Sequence, residues 1–176
     1  VCTIGGNVGT NSGGPHCLAY GVTNAHILAI EVVLADGEIV TLGGLDAEPS
    51  GYDLRGVFIG GEGMLGITTK VAVRITPNPP AVRTLLLSFD TPRDAAATVS
   101  AVIAAGIVPA AMEVMDQGIT IAVENYVNVG YPRDAGAVLL AEVDGLPDGV
   151  DIDAQRISDI GREHGATDVH QAASDE

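Results

Sequence analysis

The tetrapeptide Pro77-Asn78-Pro79-Pro80 constrains this chain more than any other feature. Proline has no amide donor and a fixed φ, so neither a helix nor an interior strand can run through such a segment. The 176-residue chain is therefore built in two parts, residues 1–80 and 81–176, each with its own pattern. Short β-branched runs broken by Gly, Asn and Asp fill the first part, which reads as strand-like. Strands alternate with helices in the second, and the two together give an α+β fold.

In the first part, Ile30 to Leu34 and Glu38 to Leu42 flank Asp36-Gly37. That pair suits the positive φ angles of a type I′ hairpin. From Gly66 to Pro77, the alternation of Ile67, Thr69, Val71, Val73 and Ile75 predicts a strand with one buried and one polar face. Between them, Gly51-Tyr52-Asp53-Leu54 can open a short helix with Asp53 near its positive end.

In the second part, Val82 to Phe89 reads as a strand. Thr91 or Asp90 caps a helix from Pro92 to Ala105, with Pro in the first turn and Gly106 as the C-terminal stop. Ala111 to Met115 is a short strand, and Asp116 caps a helix through Tyr126. Ala137 to Val143 is an apolar strand, a helix starts at Asp151 or Asp153 and ends near His164-Gly165, and Thr167 to His170 begins another strand. This order predicts a split-βαβ, ferredoxin-like layer with helices on one face of a sheet.

Charge excludes some functions. The 8 Lys and Arg against 23 Asp and Glu leave a formal charge of -15, which repels nucleic-acid phosphates and anionic lipid. No apolar run approaches the roughly 20 residues that span a bilayer. Cys2 and Cys17 have no metal-ligand spacing and read as reduced thiols of a cytoplasmic protein. The opening Val1-Cys2-Thr3-Ile4 lacks signal-peptide features, and the tail from Gln171 to Glu176 lacks a capping element. Both ends read as cuts, and the chain as an internal piece.

Two glycine clusters carry the candidate chemistry. Gly5-Gly6-Asn7-Val8-Gly9-Thr10-Asn11-Ser12-Gly13-Gly14 lets backbone approach a planar or phosphorylated ligand and offers turn amides to anionic oxygens. A structural turn cluster is the other reading, since Gly and Asn are ordinary turn residues. The run matches neither the dinucleotide fingerprint nor the phosphate-loop lysine motif. Gly60-Gly61-Glu62-Gly63-Met64-Leu65-Gly66-Ile67 is the second cluster; Glu62 is its ionisable side chain, read either as a ligand contact or as a cap for neighbouring amides. Tyr20 and Tyr52 read as buried rings with satisfied hydroxyls, Glu113 and Asp116 as capping and turn residues, Cys17 as packing, and His16 and His26 as structural.

Taken together, Ile4-Gly5-Gly6-Asn7, Asn11-Ser12-Gly13-Gly14, Tyr20-Gly21, Gly51-Tyr52-Asp53-Leu54 and Glu62-Gly63-Met64-Leu65-Gly66-Ile67 resemble the flavin-linked oxidases of the vanillyl-alcohol oxidase (PCMH) type. The branch that looks most similar is the glycolate oxidase catalytic subunit and D-lactate dehydrogenase group. The likeness continues through Ala111 to Asp116 and Gly130-Tyr131-Pro132, so it covers nearly the whole chain. It implies that residues 1–80 are the C-terminal part of an FAD-binding domain and residues 81–176 the N-terminal part of a ferredoxin-like cap domain. It also implies that Gly6, Asn7, Asn11, Gly13, Gly14, Tyr20, Gly21, Glu62, Gly66 and Ile67 face FAD. Gly61, Met64 and Gly9 depart from the family's usual Ser, Thr and Ala. The family's pyrophosphate-cradling subdomain would precede Val1, and its metal-binding histidine motif would follow Glu176. His16, His26, His164 and His170 form no such motif. No metal ligand and no catalytic residue is therefore assigned within the chain.

The reaction implied for the intact protein is FAD-dependent oxidation of a small 2-hydroxy acid, glycolate or D-lactate, with an electron acceptor or partner subunits. Two alternatives stand beside it. One is a non-catalytic interaction module that does not bind FAD alone and self-associates through open sheet edges. The other is a flavin oxidase of another alcohol.

Overall fold

The structure, a computed structural model, describes residues 2–45 and 51–172, so Val1 and the end of the uncapped tail lie outside the described residues. The chain divides into two compact units, Val1–Pro77 and Asn78–Glu176. The division falls at the proline-rich tetrapeptide.

Unit 1 contains the helices α1 (Ile4–Thr10) and α2 (Cys17–Tyr20), a 3-10 turn (Thr23–His26), strands β1 (Ile27–Val33) and β2 (Ile39–Gly43), helix α3 (Leu54–Phe58) and strand β3 (Ile67–Val73). Its antiparallel sheet runs β2-β1-β3. The strand-like reading of this half thus misses α1 and α2, whereas α3 opens where Gly51-Tyr52-Asp53-Leu54 predicts a short helix. β1 is central, and its Ile27, Ile30 and Val32 join Val8 and Ile59 in a small core.

Two local expectations change. Asp36-Gly37 does turn the chain between β1 and β2, but not as a two-residue type I′ turn. Gly37 N–H bonds to Leu34 O at 3.0 Å, Leu34 N–H bonds to Glu38 O at 2.8 Å, and within the loop Gly37, not Asp36, has positive φ. This is a three-residue loop, a tight turn followed by one left-handed residue. β3 forms where alternation predicts it, yet its apolar face is only partly buried: Val71 packs on the core, while Ile67 is 61% exposed and Ile75, beyond the strand end, 88%. Register shifts against β1 at Ile27/Ala29 and Glu31/Val32 interrupt the simple two-residue alternation.

Unit 2 runs β4 (Ala81–Phe89), α4 (Pro92–Ala104), β5 (Ala111–Asp116), α5 (Gln117–Val127), β6 (Ala137–Gly145), α6 (Pro147–Glu163) and β7 (Ala166–Gln171). The antiparallel sheet has the order β5-β6-β4-β7, the split-βαβ arrangement, with α5 added in the connection from β5 to β6. Alternate residues Leu85, Leu87 and Phe89 of β4 and Ala137, Leu139, Ala141 and Val143 of β6 face α4 and α6. Ala95 and Val102 of α4 and Val150, Ala154 and Ile157 of α6 close this core.

The caps explain the helix starts. Thr91 Oγ1 accepts from Asp94 N–H at the start of α4, and Asp116 Oδ1 accepts from Ile119 N–H at 2.9 Å at the start of α5. α6 begins earlier than Asp151 or Asp153, with Leu146 as N-cap and Pro147 in the first turn. Proline at this place is preorganised for helix, and a side-chain cap is not required. Glu113 is exposed on β5 and takes no part in capping.

Gly136 marks the closest backbone approach in this unit. A Cβ there would collide with the Asp90 carbonyl oxygen, which cannot move without shifting the end of β4. Gly136→Ala is expected to lower unfolding free energy by about 1–3 kcal/mol, measured by urea denaturation.

Candidate functional site

α1 is an unfavoured helix by composition, because three of its seven residues are Gly. Each costs about 1 kcal/mol relative to Ala in a helix interior. Its ends make up for this. Thr3 Oγ1 accepts from Gly6 N–H at 3.1 Å, and Asn11, left-handed with φ 48, ends the helix. Ser12 N–H bonds to Asn7 O at 3.0 Å. The second glycine cluster then docks on the same end: Gly60 N–H reaches Val8 O, and Glu62 N–H reaches Gly9 O, both at 2.9 Å. The first half of the glycine run is thus a helix rather than a turn, and the turn begins at Asn11.

Beyond Asn11 the chain folds into a cleft of about 340 Å³. Asn7, Ser12, Gly13, Gly14, Cys17 and Tyr20 line it, together with Cys2, Pro15, His16, Gly21, Thr23 and His26. Its walls are cross-braced. Ser12 O accepts from Thr23 N–H and Oγ1 at 3.1 and 2.8 Å, and Asn11 Oδ1 accepts from Asn24 N–H at 2.9 Å. Gly14 N–H points to Cys17 Sγ at 2.9 Å, and His26 Nε2 bonds to Tyr20 O at 2.9 Å, which requires the Nε2–H form. Among the described residues no group of three or more His, Cys, Asp or Glu is arranged to hold a metal ion.

The residues singled out from sequence separate into three groups. Asn7, Gly13, Gly14, Tyr20 and Gly21 line the cleft. Asn11 and Gly6 shape α1, and Glu62 contributes its main chain while its carboxylate stays exposed and caps no amide among the described residues. Gly66 and Ile67 do not line the cleft. Gly66 is fixed by packing, since a Cβ would lie 2.6 Å from Val32 Cγ1 and 2.9 Å from Val33 O. The tyrosines are not buried: Tyr20 is 37% and Tyr52 94% exposed. Asp53 does cap α3, accepting from Gly56 N–H at 3.1 Å and pairing with Arg55 at 3.1 Å. Arg55 in turn donates to Ile27 O at the start of β1.

Reading residues by type misses a distinction among the glycines. Gly13 is needed by the fold, because its Cβ would lie 2.8 Å from Cys17 Sγ, and Gly21 by its φ of 80°. Gly5, Gly9 and Gly14 have neither reason: no positive φ, and nothing within 4 Å of an added Cβ. Bare backbone faces open space at all three. Gly5 and Gly9 stand four apart and so share one face of α1. The i, i+4 spacing was the available sequence signal.

Residues 78–176 match the family described as FAD linked oxidases, C-terminal domain, and residues 1–43 match the FAD binding domain. The chain belongs to the FAD linked oxidases. It is 48% identical over 172 residues to the glycolate oxidase subunit GlcD of Escherichia coli K12, covering 98% of this chain and 34% of that protein. It is 35% identical over 175 residues to D-lactate dehydrogenase of Anaerostipes hadrus, covering 95% of this chain and 37% of that one. The chain thus spans about a third of the length of these relatives. Alkyldihydroxyacetonephosphate synthase shares the fold at a TM-score of 0.74 and 20% identity, over 94% of this chain and 34% of that one. p-Cresol methylhydroxylase does so at 0.66 and 18%, over 94% and 38%.

Two measurements follow from this geometry. In urea denaturation, Gly66→Ala is expected to cost about 1–3 kcal/mol by overpacking, whereas Gly14→Ala stays within about 0.5 kcal/mol of the parent. The second concerns pH. Arg55 first, then the Gly56 amide, hold the Asp53 carboxyl below its usual range. The lowered folded pKa means its stabilisation is complete above roughly pH 4, the unfolded aspartate value, and is lost as pH falls through the folded one. Asp53→Asn should therefore flatten the acid limb of the stability–pH curve.

Proposed function

We propose that this chain supplies one wall of an FAD site and that the intact protein oxidises a small 2-hydroxy acid, such as glycolate or D-lactate, to the 2-oxo acid. The observation that carries the reading is Gly14: it lines the cleft, yet neither backbone conformation nor packing within unit 1 calls for glycine there. A ligand approaching the backbone does call for it. The relatives named for glycolate oxidation and D-lactate dehydrogenation support the substrate class.

A volume of 340 Å³ is small for a whole dinucleotide and suits a portion of one. Asn7, Gly13, Gly14, Tyr20 and Gly21 would hold that portion, with Gly6 and Asn11 shaping the wall and Glu62, Gly66 and Ile67 supporting it from the second cluster. On this reading residues 1–80 complete an FAD-binding domain and residues 81–176 begin a cap domain. FAD, when bound, supplies the two-electron acceptor for the alcohol carbon. The chain's own part is to bind and orient. Glycine backbone gives close approach, and the braces from Asn11, Ser12 and His26 keep the wall rigid. Neither Lys nor Arg lines the cleft, so its lining offers the substrate carboxylate no ammonium or guanidinium partner. An electron acceptor or a partner subunit completes the turnover, in keeping with the subunit name of the Escherichia coli relative. A cytoplasmic setting fits the reduced thiols, and no helix among the described residues is long and apolar enough to cross a membrane.

The second reading, an interaction module without its own FAD affinity, is favoured by apolar side chains left uncovered on unit 1. Tyr52, Met64, Ile67 and Ile75 are 94, 83, 61 and 88% exposed. Titrating FAD into the chain and into the intact protein, followed by flavin fluorescence, separates the two. The enzymatic reading expects a yellow intact protein that reduces a dye with glycolate or D-lactate, and loss of FAD affinity by tenfold or more in Gly14→Val without loss of fold. Absence of flavin from the intact protein after reconstitution would sink it.

A further inference from the structure

Unit 2 buries a carboxylate that has no part in the cleft. Glu124, in the last turn of α5, is 5% exposed. Its oxygens accept four hydrogen bonds from three consecutive amides. Val129 and Tyr131 N–H reach Oε2 at 3.1 and 3.0 Å, and Gly130 N–H reaches both oxygens at 3.0 Å. Successive amides converging on one point form an anion-binding nest, and here the anion belongs to the helix that precedes it. Asn128, left-handed with φ 53, and Gly130, with φ 95, give the backbone the curvature to do this.

The rest of the connection to β6 is held by other means. Arg133 donates to Asn125 Oδ1 at 2.7 Å, while Gln117 Nε2–H and N–H bond to Arg133 O and Gly136 O, both at 3.1 Å. Ala135 is 9% exposed, and Gly136 meets the end of β4. The connection therefore folds back along α5, tied at the start of the helix by Gln117 and at its end by Glu124.

We propose that Glu124 is a latch: its carboxylate sets the Val129–Tyr131 segment, and neutralising it frees that segment while α5 with its Asn128 cap, the 133–136 return and the sheet stay folded. With the latch closed, exposed Val129 and half-buried Tyr131 are presented in one fixed conformation. The Tyr131 amide foremost, with Gly130, Val129 and the field of Arg133, lowers the Glu124 pKa against the opposing effect of burial. Of the elements that pack on α5, β5 carries Glu113 and the capping Asp116, and β6 carries Glu142 and Asp144; Asp134 lies in the connection itself. The sign follows from the lowered value. The latch is closed above the ordinary glutamate range and opens as pH falls below it.

Hydrogen exchange of the full chain, read by mass spectrometry at neutral pH, tests this. Glu124→Gln is expected to speed exchange of the 129–131 amides about tenfold, the loss of charge-assisted hydrogen bonds, with Asn128, 133–136 and β6 unchanged. Glu124→Ala should behave alike and regain protection in 129–131 when formate, but not chloride, is added. Parent-like protection in Glu124→Gln would overturn the latch. So would equal loss of protection across β4 and β6 in both variants, which would make the carboxylate a determinant of the whole fold. Failure of formate to restore the Ala variant would do the same.

Discussion

Two main-chain hydrogen bonds organise unit 1. Gly60 and Glu62 donate to Val8 and Gly9, joining glycine clusters that lie far apart in sequence. Without them Gly9 O would lose its hydrogen bond and Val8 O would keep only the longer one from Asn11 N–H, and a helix so rich in glycine has little intrinsic stability of its own. The cleft wall from Asn11 to Gly14 grows out of that helix end. Its geometry therefore depends on a segment that never touches the cleft. The apolar counterpart of the bonds is Val8, wholly buried against Ile27, Ile30, Val32 and Ile59.

Unit 2 shows the opposite balance. Its strands and helices are specified locally, by apolar alternation along β4 and β6 and by Thr91 and Asp116 at the helix starts. The sheet order follows once α4 and α6 must cover the same face. Tertiary contact here refines a structure that local signals already select.

This contrast explains what could be read from the amino acids. Elements with strong caps or alternation were legible: the hairpin position, β4, α4, β5, α5 and β6 stand within a few residues of their expected places. α6 started earlier because proline, not aspartate, opens it. α1 was hidden because glycine signals turns, and only docking of the second cluster makes it helical. The face expected of β3 is packed on the core at Val71 but exposed at Ile67, because what covers a strand face is set by tertiary packing. At the site, Gly13, Gly14, Tyr20 and Gly21 were found as a motif, but motif reading gave Gly66 the same weight as Gly14. Only the space around each glycine separates a packing requirement from an open approach. Glu124 left no signal, since its partners are backbone amides that any sequence provides.

The composition of α1 also bears on the order in which the chain becomes structured. A seven-residue helix with three glycines does not persist in the unfolded ensemble, where even alanine-rich helices of that length are marginal. It is completed when residues 60–62 dock on its end, a contact that closes a long loop of chain. The cleft wall therefore depends on a contact of high sequence separation. A chain arrested during synthesis before Gly60 would have the sequence motif complete and the cleft unmade.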